Sequence, residues 1–269
     1  MTALAKSWGG RSIGFVPTMG ALHAGHASLI KRARKECDRV VVSIFVNPTQ
    51  FGPKEDLSRY PRPFSADKKL CASLGVDALY HPTPAEVYPD GFKTLIEVGG
   101  LSDLLDGAFR PGHFKGVATV VLKLFQTVLP DRAYFGEKDF QQLQVIKRMT
   151  RDLDLPVKIV GCPTVREGDG LALSSRNVYL NPTERAAAPK IQQALRLGAA
   201  LARRKIPPAK VIHAVRKFIA LIPKSVIDYV SLVDPETLEA ARKSKGILRL
   251  LTAVRVGKTR LIDNIPVSC

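Results

Sequence analysis

The chain has 269 residues, 45% of them hydrophobic, and a formal net charge of +17 at pH 7. That supports one large core or two smaller ones, while no run approaches the roughly 18 uninterrupted apolar residues of a membrane span and the start lacks the charged-then-apolar layout of a signal peptide. The four cysteines, Cys37, Cys71, Cys162 and Cys269, lie too far apart for a zinc ribbon or a disulfide framework, which fits a soluble protein of the reducing cytoplasm.

Residues 12–16, 39–46, 78–81, 132–135 and 157–161 read as buried strands, and residues 27–37, 64–74, 115–129 and 140–153 between them carry helical periodicity. In the third helix Val117, Val120, Val121, Leu124 and Val128 form one apolar stripe, which is core rather than a ligand box. Strands alternating with helices predict an α/β fold with a parallel sheet. After Pro163 the character changes: residues 171–181 read as a loop, 182–204 and 208–221 as helices, and 226–233, 247–255 and 259–262 as strands. The expectation is two domains, a Rossmann-like nucleotidyltransferase domain over residues 1–162 and a smaller C-terminal α+β lid domain over residues 163–269.

Most of the charge sits in the second part. Residues 185–269 hold 17 Lys/Arg against 5 Asp/Glu, and the stretch from Arg185 to Ile227 has ten basic residues and no acid. A nucleic-acid surface is one reading. Solvated faces of two helices are the other, and the lack of interleaved aromatics favours it.

Ligands of parallel sheets bind beyond the strand C-termini, which puts residues 17–26, 47–52 and 136–139 on one rim. Two histidines, His23 and His26, lie where the first strand hands over to a helix. Gly20 and Gly25 let backbone approach a ligand, and a helix N-terminus attracts an anion. Imidazoles there can donate to phosphate or supply a proton; a metal pair or two surface histidines are the alternatives. Lys138 is a mobile point charge after a strand and Arg176 a planar fork suited to phosphate, or either is a surface ion pair, Lys138 with Glu137 or Asp139. Ser174 and Ser175 can cap a loop or helix, and Asp139 can cap the helix after it. Gln50 and Gln142 can hold a carboxylate without quenching it, or simply face water.

Four segments keep polar residues at the ends of apolar runs: residues 19–26, 47–51, 136–142 and 173–177. Together with Tyr60-Pro61-Arg62, Arg110-Pro111-Gly112-His113-Phe114, Val165 and residues 259–265, they resemble the pantothenate synthetase (pantoate–β-alanine ligase) family over nearly the whole chain. Any one of these motifs alone supports only a nucleotidyltransferase-like fold.

The resemblance implies that pantoate attacks the α-phosphate of ATP to give pantoyl adenylate and pyrophosphate, and that the amine of β-alanine then displaces AMP. It implies ATP contacts at Met19, Gly20, Ala21, Leu22, His23, Ala24, Gly25, His26, Gly136, Glu137, Lys138, Asp139, Val165, Leu173, Ser174, Ser175 and Arg176. His23, His26, Lys138 and Arg176 are catalytic among these, with His26 as proton donor, Asp139 on the ribose and Val165 at the adenine edge. Gln50 and Gln142 hold pantoate, and Met19 and Phe51 supply an apolar wall. The resemblance further implies Mg²⁺ and a homodimer formed around residues 47–60 and the helix that follows; the chain layout, with residues 166–177 leading into the small domain, adds the expectation of a C-terminal lid that shields the adenylate from water. This chain departs from the pattern in carrying Ala66-Asp67 where an acidic pair is common, which leaves Asp67 as the Mg²⁺ ligand. It also has Ala24 where an acid is common, Pro63 after the Tyr-Pro-Arg motif, and a short lead that puts in doubt a helix before residue 12. The competing readings are a nucleotidyltransferase with a different acid and amine, and a non-catalytic RNA-binding protein.

Overall fold

The structure is a computed structural model that describes residues 1–53 and 55–269. In chain order its elements begin α1 (Thr2–Ser7), β1 (Ile13–Thr18), α2 (Ala24–Glu36), β2 (Arg39–Ile44), α3 (Phe64–Ser73), β3 (Ala78–Tyr80), α4 (Pro84–Val87), α5 (Asp106–Phe109) and α6 (His113–Val128). They continue with β4 (Arg132–Gly136), α7 (Phe140–Asp152), β5 (Lys158–Cys162), α8 (Pro182–Ala187), α9 (Lys190–Arg203), α10 (Pro208–Ile219), β6 (Ser225–Val233), β7 (Ile247–Val256) and β8 (Thr259–Ser268).

The chain divides into two compact units. The first comprises Met1–Asp103, Arg110–Glu137 and Gln142–Pro163, and the second Leu104–Phe109, Lys138–Gln141 and Thr164–Cys269. The chain leaves the first unit for the last time after Pro163. Two short earlier segments, however, group with the C-terminal unit.

In the first unit five parallel strands run in the order β3-β2-β1-β4-β5. Both faces of this sheet are apolar, because neighbouring residues of each strand turn to opposite sides. Phe15, Val41, Ala133 and Phe135 join one cluster with Val117, Val121 and Leu124 of α6 and Ile146 and Met149 of α7. Val16, Val40, Val42 and Tyr134 join the other, with Leu29, Ile30 and Ala33 of α2 and Cys71 of α3. Gly14 lets α2 close on β1, since a Cβ there would lie 3.2 Å from that of Ala33. The short lead does form a helix: α1 buries Ala5 in the first cluster, and Thr2 Oγ1 donates to the carbonyl of Thr127 at 3.0 Å.

In the second unit α8, α9 and α10 accompany an antiparallel sheet ordered β6-β7-β8. Leu195, Val211, Val215, Leu232, Leu250 and Val254 are central to its core. Gly198 permits the close approach, because a Cβ there would meet Val215 Cγ2 at 2.5 Å and Leu250 Cδ2 at 2.6 Å. The single helix expected over residues 182–204 is two, broken around Ala188 and Pro189. The last strand, expected to stop at residue 262, pairs with β7 as far as Ser268. Pro266 within it disguises a strand in sequence, yet an edge strand tolerates proline.

Candidate active site

The strand order reverses between β1 and β4, so the crevice beyond the carboxyl ends of those two strands is where such a sheet binds its ligand. The turn after β1 is tightly specified. Thr18 Oγ1 donates to the carbonyl of Ser43 at 2.7 Å and accepts from Gly20 N–H at 3.1 Å. Gly20 has φ +84°, and a Cβ there would lie 3.0 Å from both Asp67 Oδ2 and Ile44 Cγ2. Asp67, only 2% exposed, accepts from Ala21 N–H through Oδ2 and from Leu22 N–H through Oδ1, each at 2.8 Å. Both oxygens expected to ligate Mg²⁺ are thus committed to the backbone of the turn. Among the described residues no group of three His, Cys, Asp or Glu side chains could hold a metal ion.

His23 and His26 form a capping box at the start of α2. Nδ1 of His23 accepts from Gly25 N–H at 3.1 Å, and Nδ1 of His26 accepts from His23 N–H at 3.3 Å. A ring nitrogen that accepts carries no proton, so each neutral imidazole holds its hydrogen on Nε2. The rings lie 4.1 Å apart between centroids. Local capping therefore sets the tautomer of both histidines, and it joins two imidazole donors to a helix N-terminus. Ala24, at the first position of that helix, is exposed.

Gln50 is buried in a short 3₁₀ turn, Pro48–Gln50, that follows β2. Its Nε2 donates to Met19 Sδ at 2.8 Å, and its Oε1 accepts from Asn47 Nδ2 at 3.2 Å. Asn47 is oriented in turn by Tyr88, whose hydroxyl donates to Asn47 Oδ1 at 2.8 Å. Burial pushes the Tyr88 phenol above its usual range, so it stays a donor. Arg110 holds Glu55 through two bonds of 2.7 and 2.6 Å and lies 3.0 Å from His113 Nε2. His113 Nδ1 in turn donates to the carbonyl of Gln50 at 2.8 Å. At Gly116 of α6 a Cβ would collide with the carbonyl of Thr49, and it would lie 2.8 Å from Gln50 N. Gln142 lies half-buried on α7 in this same unit.

The second unit, taken by itself, contains Lys138, Asp139, Val165 and residues 173–176. Gly136 ends β4 and Glu137 closes the first unit; Lys138 and Asp139 follow in the 3₁₀ turn Glu137–Asp139. Lys138 Nζ is 3.8 Å from Asp139 Oδ1, the ion pair weighed from sequence, and its side chain is 18% exposed. Gln141, not Gln142, is the buried glutamine, accepting from Asp106 N–H at 2.9 Å and donating to the carbonyl of Leu104 at 2.7 Å. Val165 accepts from Leu173 N–H at 3.0 Å, and Arg166 bridges to Ala172, so residues 165–173 form a small hairpin that takes in only the first residues of the loop expected over 171–181. Ser174 caps the 3₁₀ turn Ser175–Tyr179, its Oγ accepting from Arg176 N–H at 3.2 Å, which is the capping alternative read from sequence. Ser175 and Arg176 are half-buried within that turn.

A family model for pantoate–β-alanine ligase matches residues 1–266. The chain belongs to the pantoate–β-alanine ligase family. It is 54% identical to a pantothenate synthetase of Moorella thermoacetica over 257 residues, 95% of this chain and 91% of the relative. A solved pantothenate synthetase of Thermus thermophilus superposes with a TM-score of 0.96 at 49% identity, covering 100% of this chain and 98% of that one. A Francisella tularensis pantoate–β-alanine ligase complexed with β-γ ATP and β-alanine superposes with a TM-score of 0.82 at 39% identity, covering 98% and 93%. The parallel five-stranded sheet and the small antiparallel C-terminal sheet are the fold of this ligase family, as the sequence led one to expect.

Within that ligase frame, Asn47, Arg110, His113 and Gly116 support Gln50 and are missing from the residue set drawn from sequence. Their signal was present, since Asn47 adjoins the Gln50 turn and the Arg110–Phe114 motif carried part of the resemblance. What sequence could not supply is that all four converge on one backbone segment.

Proposed function

We propose that this chain ligates pantoate to β-alanine in two steps, the roles divided as follows. Pantoate's carboxylate oxygen attacks the α-phosphorus of ATP, the bond to the β-phosphate oxygen breaks, and pyrophosphate leaves. Charge gathers on phosphate oxygens in that transition state, so catalysis calls for positioned donors and cations rather than covalent help. His23 and His26 supply Nε2–H donors. With Nδ1 of His26 occupied as an acceptor, its proton-donor role is a hydrogen bond from a neutral ring to a phosphate oxygen. Lys138 and Arg176 neutralise the developing charge, Ser174 and Ser175 add hydroxyl donors, and the segment from Met19 to Gly25 brings the positive end of α2 to the phosphates. Asp139 takes the ribose hydroxyls and Val165 the adenine edge. Gln50 and Gln142 hold pantoate with neutral amides, which orient its carboxylate without reducing its nucleophilicity as a bidentate arginine would. In the second step the unprotonated amine of β-alanine attacks the acyl carbon, the acyl C–O bond to the phosphate breaks, AMP departs, and the surplus amine proton passes to solvent. Water must be kept from the adenylate meanwhile, a role we give to the C-terminal unit as a lid.

The observation that carries this reading is the capping box of His23 and His26 at the switch point of the sheet. It turns a common histidine spacing into two donors of defined tautomer beside a helix N-terminus, a site built for phosphate. Among the described residues no side-chain cluster fits Mg²⁺, and each oxygen of the nearly buried Asp67 already accepts from Ala21 or Leu22 N–H. Mg²⁺ therefore enters only as the ion that accompanies ATP in water, and no step is routed through it. We also propose a cytoplasmic homodimer formed around residues 47–60, a span in which Lys54 lies outside the described residues; sedimentation returning a single 29.4 kDa species refutes the dimer.

Pantoate-dependent exchange of pyrophosphate into ATP tests the function. Lys138→Ala should lower that exchange by about 10²-fold or more with the thermal transition unchanged. Exchange that depends on a different acid, or none together with salt-sensitive RNA binding, overturns the assignment.

A further inference from the structure

Two adjacent polar residues of β8, Asp263 and Asn264, are both buried, at 5% and 3% exposure. Neighbours on a strand face opposite sides of a sheet, so this pair places polar groups on both faces at one level. Buried polar groups persist where their partners are satisfied. Here the partners lead to the two cationic segments of the ligation reaction. Asn264 Nδ2 donates to the main-chain carbonyl of Lys138 at 2.9 Å, and its Oδ1 accepts from Arg249 Nε at 2.7 Å. The guanidinium of Arg249, itself buried, lies 4.2 Å over the ring of Phe140, two residues beyond Lys138. Asp263 takes both terminal nitrogens of Arg166, at 2.7 and 2.8 Å. Arg166 also donates to the carbonyl of Gly170 at 3.1 Å and to that of Asn264 at 3.4 Å, closing the hairpin that runs into Ser174–Arg176.

We infer that Asn264 and Asp263 are positioning residues for adenylation, Asn264 clamping the segment of Lys138 and Asp263 clamping, through Arg166, the hairpin that presents Arg176. The inference rests on the catalytic roles given above to Lys138 and Arg176. Lys138 is a flexible side chain whose reach is set by its main chain, and an error of about 1 Å in placing a catalytic group costs up to roughly 10²-fold in rate. Asn264 is well chosen for this task, because one amide offers an acceptor to Arg249 and a donor to a carbonyl at once.

Asn264→Asp separates positioning from folding. The carboxylate keeps, and strengthens, its bond with Arg249, but it faces the Lys138 carbonyl with a second acceptor, and that clamp opens. Pyrophosphate exchange should slow about 10- to 100-fold, with the KM for pantoate within about twofold of wild type because Gln50 and Gln142 belong to the other unit. In a Lys138→Ala background the same change should cost no further rate, since a residue acting through Lys138 has nothing left to position. Arg166→Lys, which keeps the charge near Asp263 but loses the paired bonds, should show the same silence in an Arg176→Ala background. It supplies the test if Asn264→Asp proves unstable. An Asn264→Asp enzyme exchanging at the wild-type rate, or losing the same factor with and without the Lys138 side chain, overturns the inference while leaving the ligase reading intact. Wild-type exchange by Lys138→Ala alone overturns the ligase reading as assigned, and this inference with it.

Discussion

Replacing Asp67 with asparagine distinguishes a turn anchor from a metal ligand. The carboxylate accepts two main-chain N–H bonds at 2.8 Å from Ala21 and Leu22 and is 2% exposed. Asparagine matches its shape but has one oxygen, so one of those N–H groups meets an NH₂ group. A hydrogen bond to a charged acceptor contributes about 1.5–3 kcal/mol, and a buried donor left unpaired costs a comparable amount. Asp67→Asn should therefore destabilise the first unit by about 2–4 kcal/mol, a fall of very roughly 5–15 °C in its thermal transition. Calorimetry resolves that transition. Because Gly20 and Ala21 carry φ +84° and +50° in the same turn, the variant should also raise the ATP concentration needed for half-maximal pyrophosphate exchange. The half-activating Mg²⁺ concentration, measured at saturating ATP, should not move. A variant that melts like wild type but needs about tenfold more Mg²⁺ would return Asp67 to the metal and refute the account of the turn.

Gly116→Ala should move the 3₁₀ turn of Gln50, because the new methyl meets main chain and not the end of a flexible side chain. Its signature is a rise of about tenfold in the KM for pantoate, and an unchanged KM refutes it. Burial raises the Glu55 carboxyl, but the paired bonds from Arg110 and that cation's charge outweigh it and hold the group below the usual range. A carboxylate depressed by folding stabilises above its unfolded pKa, and that contribution is lost as pH falls through the folded value. Glu55→Gln should thus cost about 1 kcal/mol at pH 7, with the gap to wild type closing below about pH 4 in denaturant titrations; a gap independent of pH contradicts the pair's role. Burial, aided by the nearby Asp67 charge, pushes the Cys71 thiol up to about 11. The unfolded thiol ionises first, so stability is complete below its ordinary pKa and declines as pH rises from there toward the folded value. Cys71 should resist iodoacetamide at pH 8 while the native state persists, and rapid labelling there would show the site opens.

Much of the first unit was legible because its strands are apolar on both faces and its helices on one. Continuous runs such as residues 39–44 and the α6 stripe have few other uses. Boundaries slipped where capping decides them. The helix expected to begin at residue 27 begins at Ala24, since an imidazole serves as the N-cap in place of Ser, Thr, Asp or Asn. The α8–α9 break was hidden by an unbroken helical pattern around Pro189, and the extent of β8 by Pro266. Asp67 is a different case. A lone acid beside a phosphate motif suggests a cation, and only coordinates reveal that two N–H groups have already claimed its oxygens.

The segment from Gly136 to Gln142 shows most clearly where sequence adjacency misleads. Read as a string it is one rim motif at the end of a strand, and its polar residues read as equivalent members of one site. In three dimensions the chain leaves the first unit after Glu137 and rejoins it at Gln142. Three of the four residues between are held by contacts from far along the sequence: Asn264 on the carbonyl of Lys138, Arg249 over Phe140, and Leu104 and Asp106 on Gln141. The two neighbouring glutamines consequently differ, Gln141 pinning backbone in one unit and Gln142 lying half-buried in the other. The lysine assigned to phosphate thus belongs mechanically to the C-terminal unit, although a β4 residue of the parallel sheet precedes it by only two positions. A change in the C-terminal strands that shifted the Lys138 main chain would therefore be expected to slow adenylation without touching ATP, since Asn264 holds that carbonyl at 2.9 Å.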